Sequence, residues 1–194
     1  ERAFNIAKER NLVPPICDQA HYNLLSRGKI DNEYRDLFRF RKYGITSWSP
    51  LEGGILTGKY MENKVPEGSR ISKGKGRLPA IWQSKKGDWE PKLEKLQKLA
   101  QEKLNCSLAQ LSIAWAIRNN DISTAILGAM NPEQITENLK ALDVSKKMTK
   151  EILEEIETIM KNAPSGEFDY FNGFTEMPVR RNIQETKLQI SELS

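Results

Sequence analysis

The sequence predicts an α/β chain built on a parallel sheet. Three observations predict it. Short apolar runs (ICDQAHY, ITSW and ISTAIL) alternate with longer stretches of helical period. Turn residues punctuate each change, and several helix starts carry their own caps. The order reads helix, strand, helix, strand, a long segment, two helices, strand, helix, helix, which is the pattern of βα units.

The elements follow in order. Residues 1–11 end a helix, with Ala3, Phe4 and Ala7 on one face. Pro14 and Pro15 break it, and Ile16 to Tyr22 can form a buried strand that takes Cys17 inward as a free thiol. Residues 31–42 form a helix with Asp31 as cap and Tyr34, Leu37 and Phe38 on one side; Gly44 fits its stop. Ile45 to Trp48 is the second strand. Residues 50–90 are rich in Gly, Lys and Ser without a sustained period, and so long a loop in a compact domain points to function or disorder. Leu93, Leu96, Leu99, Ala100 and Leu104 then line one helical face. Ser107 to Gln110 is a capping box for the next helix. Ile122 to Leu127 is the third strand, ended by Gly128. Asn131 is the cap, Pro132 takes the first helical position and Gln134 closes a box, starting a helix that runs to about Leu142. Thr149 caps one more, with Ile152, Leu153, Ile156 and Ile159 inward.

Three strands bury a parallel sheet poorly, and a complete (β/α)8 barrel needs roughly 250 residues. The 194 residues therefore match the C-terminal part of such a TIM barrel, about strands six to eight with their helices, the N-terminal half being absent. The chain opens on Glu1 in mid-helix, which suggests an excerpt. Residues 1–165 form the partial barrel and 166–194 a polar C-terminal tail.

Composition narrows the function. Charged residues make up 29% and apolar residues 38%, as in a globular protein in water, and the net charge is +4. Two lone cysteines, Cys17 and Cys106, argue against a disulfide framework or a zinc site and for a reducing, cytoplasmic setting. No stretch approaches ~20 apolar residues, so no membrane insertion is expected. Residues 59–103 hold twelve Lys and Arg against six Asp and Glu. This surplus is either a solvated basic face or the border of an anionic ligand. Trp82 and Trp89 are too few and irregular for a stacking platform, so nucleic acid is not a partner.

In such barrels chemistry sits at the carboxyl ends of the strands. Gln19 lies near the first, and its amide suits a carboxamide partner or a satisfied core position. Trp48 ends the second, where an indole can stack on a flat ring or simply fill the mouth. Gly128 to Asn138 follows the third and opens a helix whose free N–H groups suit an anion or an ordinary cap. Each signal alone is weak; their placement at three successive strand ends strengthens them.

The segments PPICDQAHYNLLSR, TSWSPLEGGILTGKY, VPEGSR and ILGAMNPEQITENLKAL resemble the second half of an aldo-keto reductase, nearest the branch of voltage-gated potassium channel β-subunits and related reductases. The resemblance covers about residues 1–165. It implies an NADP(H)-dependent oxidoreductase reducing small aldehydes or ketones, or alternatively a redox-sensing β-subunit bound to a potassium channel α-subunit, or a homo-oligomer. By position, Gln19 would hold the nicotinamide carboxamide and Trp48 would stack on its ring. Ser49, Pro50 and Leu51 would line the diphosphate, and Gly53 would permit close approach. Lys59 and Arg70 would neutralise phosphate from a clasping loop. Gly128 and Met130 would sit beside the 2′-phosphate, and Gln134, Glu137 and Asn138 would contact that phosphate and the adenine. Relatives commonly have serine where Met130 stands, which relaxes the expected preference for NADPH and admits NADH. The family's catalytic Asp, Tyr, Lys and His or Asn lie on earlier strands, so no catalytic residue is assigned here. His21 is expected to be a structural or rim residue, and Tyr22, Tyr43 and Tyr60 lack a matching Lys and Asp arrangement.

Overall fold

The computed structural model describes residues 2–74 and 76–164. At its centre lies a parallel sheet in the order β1 (Cys17–His21), β2 (Gly44–Trp48), β3 (Ile122–Ile126). β1 and β2 run in register from Cys17 opposite Gly44 to His21 opposite Trp48. The β2–β3 ladder shifts between Ile45 and Thr46, which brings Trp48 opposite Ile126. Trp48 therefore has His21 on one side and Ile126 on the other.

Alternation along the strands separates two faces. Ala20, Ile45, Ser47 and Ile122 are buried. Gln19, Trp48, Thr124 and Ile126 are exposed on the opposite face. The buried face is covered by helices, chiefly α4 (Leu108–Arg118), which packs on β3 and also meets α3 (Leu78–Leu104), α5 (Pro132–Leu139) and α6 (Ala141–Lys147). Residues 108 and 110–116 of α4 are all buried, as a helix surrounded by protein requires. The expected Ser107–Gln110 capping box is formed, with both reciprocal bonds present. α7 (Lys150–Met160) starts at the expected Thr149 cap and buries Ile156 and Met160.

A polar cluster ties the segment after β1 to the end of α4 and to α7. The Tyr22 hydroxyl donates to Asp31 Oδ1 at 2.9 Å, and Arg27 Nε donates to Asp31 Oδ2 at 2.5 Å. Asn119 Nδ2 donates to the Tyr22 hydroxyl at 3.0 Å, and Arg27 also reaches Glu157 at 2.6 Å. Trp115 stacks on Tyr22 with ring centroids 5.1 Å apart. The buried Arg27–Asp31 pair compensates its own charges, and the partly exposed Glu157 adds a second acceptor for Arg27.

Several sequence expectations are corrected. Asp31 does not cap a helix; it is the 2% exposed acceptor of that cluster. It lies in a π-helical turn (Lys29–Glu33) that precedes α2 (Arg35–Arg41). Gly44 is not the stop of α2: Lys42 takes the left-handed C-cap conformation (φ 49°), and Gly44 opens β2. Cys17 is exposed rather than buried, because strand parity puts it on the open face with Gln19. β3 ends at Ile126, one residue before the expected Leu127. The helix from Pro132 breaks at Lys140 rather than running to Leu142.

The largest correction concerns residues 50–90. The irregular segment ends by residue 77, and α3 spans 27 residues through Pro91. Pro91 removes one N–H from the ladder, yet the helix continues across it. Trp82, Leu93, Leu96 and Ala100 are buried along one side on both flanks of the proline. That apolar side, spaced near multiples of 3.6 residues, outweighs the lost hydrogen bond. The notional tail, residues 166–194, and the final boundary of the partial barrel lie outside the described residues.

Candidate functional site

The chain turns sharply where β2 ends. Ser49 adopts φ 53° and Glu52 φ 44°. The Glu52 N–H returns to the Ser49 carbonyl at 2.9 Å, and the Gly54 N–H to Leu51 at 2.9 Å. A short 3-10 segment, Glu52–Thr57, follows. Gly53 (φ 61°) and Gly54 (φ 101°) lie in left-handed regions, where a side chain is strained. A Cβ would also force a neighbouring side chain to move. A Cβ on Gly53 would fall 2.6 Å from Leu78 Cδ2, and one on Gly54 would fall 2.6 Å from Lys59 Cε. The glycine pair thus lets the turn lie against the start of α3 and under the arm of Lys59.

Beyond this turn is a cleft of about 830 Å³. Its walls come from the end of β2 (Trp48), the turn (Ser49, Pro50, Leu51, Gly53, Gly54, Thr57, Lys59) and Arg70. The opposite wall is Ala109, Ile126, Leu127, Gly128, Met130, Asn131, Glu133, Gln134, Glu137 and Asn138. The volume suits a small-molecule cofactor rather than a single ion.

The cleft combines two kinds of lining. Trp48 presents a half-exposed indole, paired with Ile126 across the sheet, and Leu127 lines the cleft with them. Lys59 and Arg70 contribute positive charge, and neither has an ion-pair partner among the described residues. The Lys59 ammonium lies 5.1 Å over the Tyr60 ring. The start of α5 closes the wall. Asn131 caps it by accepting from the Gln134 N–H at 2.9 Å, while Gln134 Oε1 accepts from the Met130 N–H at 2.8 Å. Gln134 therefore braces the residue before the cap, not the cap itself. Glu137 is held from below: Gln110 Nε2 donates to its Oε1 at 2.7 Å, and Lys140 pairs with its Oε2 at 2.9 Å.

Of the residues proposed from the sequence, Trp48, Ser49, Pro50, Leu51, Gly53, Lys59, Arg70, Gly128, Met130, Gln134, Glu137 and Asn138 come together around this one cleft. Gln19 does not line it. It sits on β1 opposite Thr46, on the same sheet face as Trp48. Sequence reasoning did not single out Gly54, Thr57, Ala109, Ile126, Leu127, Asn131 as a lining residue, or Glu133. Ile126 and Leu127 were legible as the apolar end of the third strand; Ala109 was not, because a small residue in the first turn of α4 carries no local signal.

A polar network lies beside the indole. His21 stacks on Trp48 with ring centroids 4.2 Å apart and planes 18° apart. Its Nε2 lies 2.7 Å from Glu52 Oε2. Asn23, fully buried, donates through Nδ2 to Glu52 at 2.7 Å and to the Ser49 carbonyl at 2.9 Å. Burial by itself pushes the Glu52 carboxyl up, but the hydrogen bonds from His21 and Asn23 and the nearby imidazole outweigh it, and its pKa is lowered.

Residues 1–161 match the model of the aldo/keto reductase family. The chain belongs to that family. It is also 41% identical over 165 residues to a Schizosaccharomyces pombe protein provisionally named voltage-gated potassium channel subunit beta. That match covers 84% of this chain and 47% of the relative, so the chain spans about half the relative's length. The three-stranded parallel sheet is consistent with part of an aldo/keto reductase barrel. Among the described residues, no helix is long and apolar enough to cross a membrane, and no group of His, Cys, Asp and Glu could hold a metal ion.

Proposed function

We propose that the cleft is the NADP(H) site of a carbonyl-reducing oxidoreductase, and that β1 to β3 are strands six to eight of its barrel. The observation that carries this reading is that one cleft brings together an exposed indole and two cations that have no carboxylate partner among the described residues. A dinucleotide needs both a flat apolar platform and charge compensation for phosphate. The residues fit the cofactor. Trp48, with Ile126 and Leu127 beside it, would hold the nicotinamide ring. The Ser49–Gly53 turn, Lys59 and Arg70 would hold the diphosphate. Gly128, Met130, Gln134, Glu137 and Asn138 would hold the adenosine end. When bound, the cofactor supplies hydride to an aldehyde or ketone.

This chain's own residues bind and orient. Among the described residues no tyrosine lines the cleft: Tyr22 and Tyr60 are buried, and Tyr43 donates to the Cys17 carbonyl at 2.8 Å. The proton donor is the tyrosine that the family resemblance places on earlier strands of the barrel. A second reading rests on the yeast relative's name: a β-subunit bound to a potassium channel, with the cofactor reporting redox state. Aldehyde turnover by the full-length protein favours the first role; co-purification with a channel without turnover favours the second.

The test is a titration with NADPH and NADH, read by tryptophan fluorescence beside a Trp48→Ala control. Saturable quenching that the control loses supports the cleft reading. Absence of binding by a protein that circular dichroism shows to be folded overturns it. Met130 offers no hydroxyl to a 2′-phosphate, so the two affinities are expected within about tenfold, a difference of about 1.4 kcal/mol.

A further inference from the structure

We propose that His21 is a positioning residue that fixes the Trp48 indole as a stacking platform. This deepens the cofactor reading and rests on it. Strand register makes the contact: His21 lies directly opposite Trp48 in the β1–β2 ladder, on the same sheet face. The imidazole covers the indole at 4.2 Å with an 18° tilt. His21 does not line the cleft, whereas Ile126 and Leu127 on the β3 side do. The indole thus stands between the imidazole and the space proposed for the nicotinamide.

The imidazole is itself held. Glu52 Oε2 is 2.7 Å from its Nε2, and Glu52 in turn accepts from the buried Asn23 at 2.7 Å. Asn23 is anchored by the Leu25 and Ser26 N–H groups, each donating to its Oδ1 at 2.9 Å. The same Asn23 holds the carbonyl of Ser49, the residue after Trp48. One network therefore restrains both the ring of Trp48, through His21, and the backbone turn that follows it. A free exposed indole samples several rotamers, and ordering one on binding costs affinity. Stacking against a pinned ring removes that cost in advance.

The experiment compares the full chain with His21→Ala and His21→Phe. Two readouts are taken: the near-ultraviolet dichroism of Trp48 without ligand, isolated by subtracting the Trp48→Ala spectrum, and NADPH affinity. His21→Ala is expected to collapse the Trp48 band and weaken NADPH binding about three- to tenfold, the worth of one aromatic contact. His21→Phe keeps a flat ring over the indole and is expected to restore both readouts, which a general loss of stability would not do. Wild-type binding with an unchanged band and affinity in His21→Ala overturns the role of His21 while leaving the cofactor reading intact. Failure of folded His21→Phe to restore either readout also overturns it. Failure of the wild-type chain to bind NADPH overturns the cofactor reading, and the platform role with it.

Discussion

Replacing Gly53 by alanine tests the turn that carries one wall of the cleft. Two costs add there. At φ 61° an L-residue costs roughly 1–2 kcal/mol, partly offset by the ~0.4–1 kcal/mol that a less flexible unfolded chain returns. The new methyl would also start 2.6 Å from Leu78 Cδ2. Leu78 opens α3 and has to leave its rotamer, which costs of order 0.5–1.5 kcal/mol. The expected net loss is about 0.5–3 kcal/mol. Gly68→Ala is the control, because Gly68 also has positive φ (72°) but nothing within 4 Å of its Cβ position. Backbone strain is common to both variants, so their difference isolates the Leu78 contact. The assay is urea unfolding followed by far-ultraviolet circular dichroism, compared at constant slope. If Gly53→Ala costs no more than Gly68→Ala, the close approach of turn and helix is not what requires glycine, and the argument fails.

Two further predictions follow from the site. Gln110→Ala leaves the Ser107 cap of α4 but removes the reciprocal side-chain bond to it and the bond that holds Glu137. It is expected to lower stability by about 1–2 kcal/mol, the worth of two such bonds, and to weaken NADPH binding; unchanged unfolding midpoints would refute the first part. The lowered pKa of Glu52 means that its ionised form is favoured by folding. Its contribution is complete above the unfolded glutamate value of ~4.3 and is lost as pH falls through the lower folded value. The thermal midpoint of Glu52→Gln should therefore lie below wild type near neutrality and converge with it on acidification, which thermal scans across that acid limb would check.

Much of the architecture was legible because local signals and tertiary packing agree. The Ser107–Gln110 box, the Asn131 and Thr149 caps and the three strands are specified by neighbours a few residues apart. The same holds for Trp48 through Lys59, where a glycine pair and a lysine within seven residues set a turn and a charge. Local residue order suffices for these short-range features, and with them most of one cleft wall. The remaining features emerge only when the elements pack. Asp31 looks like a helix cap until Tyr22, Arg27 and Asn119 converge on it from three places in the chain. Pro91 looks like a stop until buried residues on both sides hold α3 through it. His21 looks like a rim residue until strand register sets it against Trp48, while Glu52 and Asn23 fix its far edge. In each case the deciding term is burial or pairing in the folded chain, and its free energy outweighs a local preference that a short window records correctly.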